Sequence, residues 1–207
     1  MLVKCCLLLL MLSTAVRGFG ITSRRFVLPT TRRFCAALGT EGEVTDLSCL
    51  EIRVGKIIEI GKHPEADSLY VEKVDCGEAG GPRTIVSGLV KYCTVEQLLN
   101  RKVTVLCNLK PRALVGITSA GMLLCASNAD GTQIDPLTPP DEAPLGQLVT
   151  FAGHKSQPEE PGNRSSKAYK KIADDFFVND DMIATFKGVP FMTPAGAVTS
   201  TLKGKIS

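Results

Sequence analysis

Between Asn108 and Ser127, in "NLKPRALVGITSAGMLLCAS", the side chains able to make specific polar contacts crowd together. Lys110 and Arg112 flank Pro111, and Ser119 and Met122 follow after an apolar passage. An ammonium and a guanidinium two residues apart are donors for anionic oxygens, the guanidinium offering a planar fork to two of them at once. The assortment does not make a catalyst. The whole chain has two histidines, His63 and His154, no glycine-rich phosphate loop running into a helix and no nucleophile elbow. With no CxxC pair beside those histidines, a zinc site lacks material, and neither a metal nor another cofactor is expected. His63, before Pro64, reads as a turn residue, with Asp67 bonding the backbone of that turn.

The elements that must hold these groups are short and β-like. "CLEIRVGKIIEIGKH" alternates apolar and polar residues with an offset between Val54 and Ile57 that predicts a bulge or bend at Gly55. "SLYVEKVDCG", "RTIVSGL" and "KVTVLCNL" read as three further strands, and "TVEQLLN" as a brief helix with Thr94 as N-cap and Gln97 at the capping-box position. "TSAGMLLCAS" is a fifth strand; a loop through "PLTPPDEAPLG" leads to a last one in "QLVTF". Five or six short strands with one small helix and no long parallel crossovers fit a mainly β fold, a five-stranded barrel of the OB type. An immunoglobulin-like sandwich is the structural competitor, disfavoured by the helix between strands three and four. "HKSQPEEPGNRSS" reads as a linker, since Pro158, Pro161 and Gly162 oppose a helix. Beyond it "SKAYKKIADDF" predicts an amphipathic helix and "MIATFKGVPFMT" a tight hairpin at Lys187 and Gly188. About fifty residues are marginal alone, so this small C-terminal α+β lobe is expected to pack on the barrel.

Charge and cysteines bound the rest. The formal charge is +3, but six Lys and Arg lie in the first forty residues, which hold no Asp or Glu; removing those six leaves −3 for residues 41–207. An anion-binding role therefore cannot rest on net charge and needs a local cluster. In the leader, "MLVKCCLLLLMLSTAVRG" has the charged start and short apolar run of a secretory signal, and "FGITSRRFVLPTTRRFCAALG" has transit-peptide composition. The two together predict a plastid address; mitochondrial import and simple secretion remain open alternatives. Cys49, Cys76, Cys93, Cys107 and Cys125 form an odd set inside or beside apolar runs, the pattern of reduced, buried thiols. Expected divisions are a leader over 1–40, a barrel over 46–153 and the lobe over 164–207.

The ordered blocks "RVGKIIEIGKHPEADSLYVEKVDCGE", "RTIVSGLV", "NRKVTVLCNLKPR" and "GITSAGMLLCAS" resemble the tRNA-binding OB module of methionyl-, tyrosyl- and bacterial phenylalanyl-tRNA synthetases and of free-standing synthetase cofactors. "IATFKGVPFMT" is similar to the C-terminal lobe of the endothelial monocyte-activating polypeptide II subgroup. The resemblance runs from about Leu47 almost to the C-terminus. It implies a module that grips tRNA by shape and has no catalytic centre, whose second lobe imitates the partner barrel of a dimer and so favours a monomer. An aminoacyl-tRNA synthetase is the implied protein partner.

By matching positions, the resemblance assigns phosphate contact to Lys110 and Arg112, with Arg53 as a further cation on the same face. Ser119 would meet a phosphate or ribose hydroxyl, Met122 would lie against a base, and Asn108 and Ser87 would add polar contacts. A core role for Met122 and a strand-ending role for Ser87 remain open. Two positions depart from the family: Ala113 and Val115 stand where basic residues are common, which thins the basic patch and predicts a moderate, salt-sensitive binder. Lys170 and Lys171 read as a solvated helix face, with phosphate contact as the minority reading. The competing class is a protein-interaction scaffold, chaperone or secreted cytokine-like module on the same barrel without significant RNA binding.

Overall fold

A computed structural model describes residues 42–207; the leader over 1–40, with its signal and transit readings, lies outside the described residues. The elements in chain order are β1 (Ile52–His63), β2 (Ala66–Asp75), β3 (Arg83–Ser87), α1 (Val95–Leu98), β4 (Lys102–Leu106), β5 (Arg112–Leu114), β6 (Ile117–Ser119), β7 (Met122–Leu123), β8 (Cys125–Ser127) and β9 (Ile134–Pro136). They continue as α2 (Asn163–Ile172), β10 (Phe176–Val178), β11 (Ala184–Phe186), β12 (Val189–Pro190), β13 (Met192–Thr193), β14 (Gly196–Ala197) and β15 (Gly204–Ile206).

The first sheet has the order β3-β2-β1-β4-β7 and is antiparallel throughout. Its concave side encloses Ile57, Val74, Ile85, Val103, Val105 and Leu123, all buried. The edge strands β3 and β7 lie side by side, joined where the Ala120 N–H donates to the Thr84 carbonyl at 2.9 Å. No ladder forms between them, so the barrel expected from the sequence is open at this seam. Arg83 bridges the gap: its guanidinium donates to the carbonyls of Cys107 (2.6 Å) and Ala120 (2.7 Å) and pairs with Glu78.

Several local readings change. The break in β1 falls at Ile58, between Ile57 opposite Val74 and Glu59 opposite Lys73, rather than at Gly55. Gly55 stays in register with β4, and its missing side chain is what lets the interior close: a Cβ there would sit 2.8 Å from Val74 Cγ1 and 3.0 Å from Val105 Cγ2. "TSAGMLLCAS" is not one strand but parts of three, because the chain passes from the β5–β6 hairpin to the first sheet and then, at Leu124, to the second. "QLVTF" contributes only isolated bridges, Leu148 to Arg53 and Thr150 to Met192. Thr94 and Gln97 cap α1 as expected, the Gln97 Oε1 accepting from the Thr94 N–H at 2.8 Å.

The second sheet has the order β12-β11-β10-β15-β8-β9 and mixes residues 125–136 with residues 176–206. At its centre β15 fits between β10 and β8, with Lys205 opposite Ser127 and Ile206 opposite Ala126. Gly204 makes that fit possible: its φ is +148°, and a Cβ there would fall 1.9 Å from the Ser127 carbonyl oxygen. One apolar core runs through both halves, with Ile52, Leu106, Leu124 and Leu137 packed with Ile172, Phe176, Phe186, Phe191 and Ile206. The hairpin turn falls at Lys187 and Gly188, both at positive φ.

The passage from His154 to Pro161, which composition marks as a linker, is a pinned strap. Its Gln157 and Glu159 N–H groups donate to the carbonyls of Ser48 (2.8 Å) and Cys49 (3.1 Å). All five cysteines among the described residues are buried free thiols. Among those residues no helix is long and apolar enough to cross a membrane, and no group of three His, Cys, Asp or Glu could hold a metal ion.

Candidate nucleic-acid interface

The cation-bearing segment leaves β4 through Asn108, and Asn108 explains its shape. The side chain is fully buried: Nδ2 donates to the carbonyls of Cys49 (2.7 Å) and Glu159 (2.9 Å), and Oδ1 accepts from the Glu51 N–H (2.9 Å). Its own carbonyl accepts from the Gly162 N–H (3.2 Å) and the Ser165 hydroxyl. One amide thus ties the end of β4 to the start of β1, to the strap and to the head of α2. The expectation that Asn108 offers donors to an RNA gives way to this role, because all three of its side-chain bonds are satisfied internally.

Beyond that anchor the chain emerges. The Lys110 N–H donates to Ser166 Oγ on α2 at 2.9 Å, while the Lys110 and Arg112 side chains are exposed and take part in no ion pair or hydrogen bond with the described residues. Arg112 opens the β5–β6 hairpin, directly opposite Ser119. The turn is Val115-Gly116, with φ of +46° and +83°, the geometry of a type I′ hairpin. A β-branched residue at positive φ is strained, and Val115 is also half exposed at the tip.

The hydroxyls turn inward. Ser119 Oγ accepts from the Val86 N–H (3.0 Å) and donates to the Gly121 carbonyl (2.9 Å), fastening the hairpin base to the β3 edge. Ser87 donates to Glu72 Oε1 at 2.7 Å. Glu72 itself is fully buried with Oε2 unpartnered, and burial pushes its pKa up to about 7 against the opposing effect of the Ser87 bond. Both hydroxyl protons are thus committed within the fold. His63, also buried, accepts from the Glu65 N–H through Nδ1 at 3.1 Å; it supports the turn, and Asp67 makes no bond there.

Arg53 lies two residues beyond Glu51, on the strand that Asn108 grips, but it is engaged. Its Nε and Nη2 donate to Glu51 Oε1 (2.7 and 2.5 Å) and its Nη1 to the Gly146 carbonyl (3.1 Å). The neighbouring Arg83 is neutralised by Glu78, whose carboxyl is held below its usual range by the Arg83 hydrogen bond. Met122 is half-buried, opposite Leu106 and packed against the shared core. Of the seven residues named from sequence, Lys110 and Arg112 project charge that no described residue pairs; Asn108, Ser119 and Ser87 position the frame, and Arg53 forms a local ion pair. Sequence reasoning missed Glu51, Glu78 and Arg83. Acids two residues before Arg53 and five before Arg83 were the available signal.

Known proteins bear on this arrangement. Residues 52–148 match the family described as "Putative tRNA binding domain". The chain is 50% identical over 159 residues to a probable methionine--tRNA ligase of Oryza sativa, covering 76% of this chain and 20% of that protein. It is 44% identical over 156 residues to the aminoacyl tRNA synthase complex-interacting multifunctional protein 1 of Mus musculus, covering 75% of this chain and 49% of that one. The chain thus spans a fifth to a half of the length of these relatives. The solved C-terminal domain of Plasmodium vivax p43 superposes with a TM-score of 0.73 at 32% identity, over 79% of this chain and the whole of that domain.

Proposed function

Because the chain belongs to the tRNA-binding domain family, we propose that it is a non-catalytic tRNA-binding protein that serves aminoacyl-tRNA synthetases as an auxiliary. The observation that carries this reading is the pair Lys110 and Arg112, two exposed and uncompensated cations on a segment whose backbone is fixed by Asn108 and Ser166. Fixed cations suit a folded polyanion: they meet phosphates without first being ordered, and give affinity without reading base identity. The half-buried Met122, three residues after the Ser119 that stands opposite Arg112, would supply a soft, apolar contact. The synthetase names of the relatives support a synthetase as protein partner. The lobe over 164–207 would take the place of a second barrel and keep the chain monomeric, and the leader over 1–40 would deliver it to a plastid.

The test is retention of labelled tRNA by the full chain across a salt series, for the parent and for K110A/R112A. Losing two phosphate contacts should lower the slope of log affinity against log salt by about 1.4–1.8. Tight binding that ignores salt, or a double variant with the parent's slope, overturns the reading. A synthetase that co-purifies equally with both proteins, while RNA retention never changes, would make the barrel a scaffold.

A further inference from the structure

The sequence groups Lys170 with Lys171, but α2 points Lys170 outward and turns Lys171 to one side. Ser165, Ala168 and Ile172 are buried, so the outward direction of the helix runs through Asn163 and Lys170, with Lys167 turned from it toward Lys171. Lys170 lies one turn beyond Ser166, on the same flank, since residues four apart stack along a helix. Ser166 is the residue that receives the Lys110 N–H. Lys171 and Arg164 lie on the other flank, and both are consumed: Lys171 pairs with Asp46 at 3.4 Å and Arg164 with Glu159 at 3.0 Å. Lys167 and Lys170 are exposed, and their side chains are in no ion pair or hydrogen bond with the described residues. Of the acids around the helix, Asp174 is engaged by Lys205 and Asp175 by Lys187, while the exposed Glu160 and Glu43 have no ion-pair partner among the described residues.

The cations of this region thus sort into two pairs. Arg164 and Lys171 are each paired with a carboxylate, whereas Lys167 and Lys170 have no such partner among the described residues. We propose that Lys167 and Lys170 extend the Lys110–Arg112 pair into one four-cation track that follows the phosphate backbone of the bound RNA. The C-terminal lobe then contributes directly to the RNA surface, rather than only covering the barrel. This rests on the tRNA-binding reading above. The helix and the segment share a frame through Asn108, Gly162, Ser165 and Ser166, so the backbone of Lys110 sits at a preset spacing from α2. A regularly spaced polyanion rewards such a preset spacing.

Three double variants of the full chain decide it, each first checked for an unchanged melting temperature: K167A/K170A, K110A/R112A and R164A/K171A. Labelled tRNA is titrated by fluorescence anisotropy over a salt series. K167A/K170A should lower the salt slope by about 1.4–1.8, the same as K110A/R112A, while R164A/K171A leaves it within about half a unit of the parent. A parental slope for K167A/K170A beside a reduced one for K110A/R112A sinks the track and spares the tRNA-binding reading. Parental slopes for both remove the two together. Equal losses in the two helix variants would show a nonspecific charge effect and also overturn the track.

Discussion

Glu72→Gln should abolish most of the pH dependence of folding between about pH 4.5 and 7. The carboxyl lies inside the first sheet with no solvent exposure, one oxygen bonded to Ser87 and the other unpartnered. Its neighbours Cys93 and Cys125 are thiols that burial keeps protonated, so no nearby charge offsets ionisation. Burial therefore raises the folded pKa from 4.5 to about 7. Below pH 4.5 the acid is protonated folded or unfolded, and it makes no pH-dependent contribution. Between the two values the unfolded chain gives up its proton while the folded protein keeps it, so stability falls as pH rises; above 7 the loss is complete. At about 1.4 kcal/mol per pH unit, the full loss is about 3 kcal/mol. Glutamine keeps an oxygen for Ser87 and cannot ionise. Urea unfolding of both proteins from pH 4 to 8 gives the difference curve by linear extrapolation. It should be flat to about pH 4.5, climb in favour of Gln, and level off above 7. A flat curve from pH 5 to 8 would refute the reasoning, since it would mean the buried carboxyl ionises in the folded protein as readily as in the unfolded chain.

Two other substitutions probe the frame. Val115→Asn places at φ +46° a residue that tolerates left-handed backbone, and should raise stability by about 1 kcal/mol in thermal unfolding without moving the tRNA salt slope. Gly204→Ala must push a methyl group into the Ser127 carbonyl, and should cost at least about 2–3 kcal/mol in urea unfolding; a variant of parental stability would mean β15 does not sit as described.

What the sequence disclosed follows from which forces act locally. Alternation in "SLYVEKVD" and "RTIVS" located β2 and β3, because one face of each strand must be apolar. The Thr94–Gln97 cap and the Lys187–Gly188 turn were legible because each is settled within four residues. The open seam, the passage of Leu124 between sheets and the strand Ile134–Pro136 were not, since pairings between residues far apart in sequence decide them. At the site, residue type pointed to the exposed cations Lys110 and Arg112 but did not reveal that Arg53 is paired or where the polar groups turn. Asn108 and Ser119 look alike in sequence whether they face solvent or satisfy buried backbone, and only the packed chain supplies the Glu51, Cys49 and Val86 groups that claim them.

The junction of β15 with β8 has a temporal consequence. Ser127 and its opposite number Lys205 are 78 residues apart, so β8 leaves the ribosome long before its neighbour exists. At typical synthesis rates that interval is about 4–16 seconds. Throughout it, one side of β8 is an unpaired edge next to apolar side chains that later join the shared core, an exposure that ends only when β15 arrives.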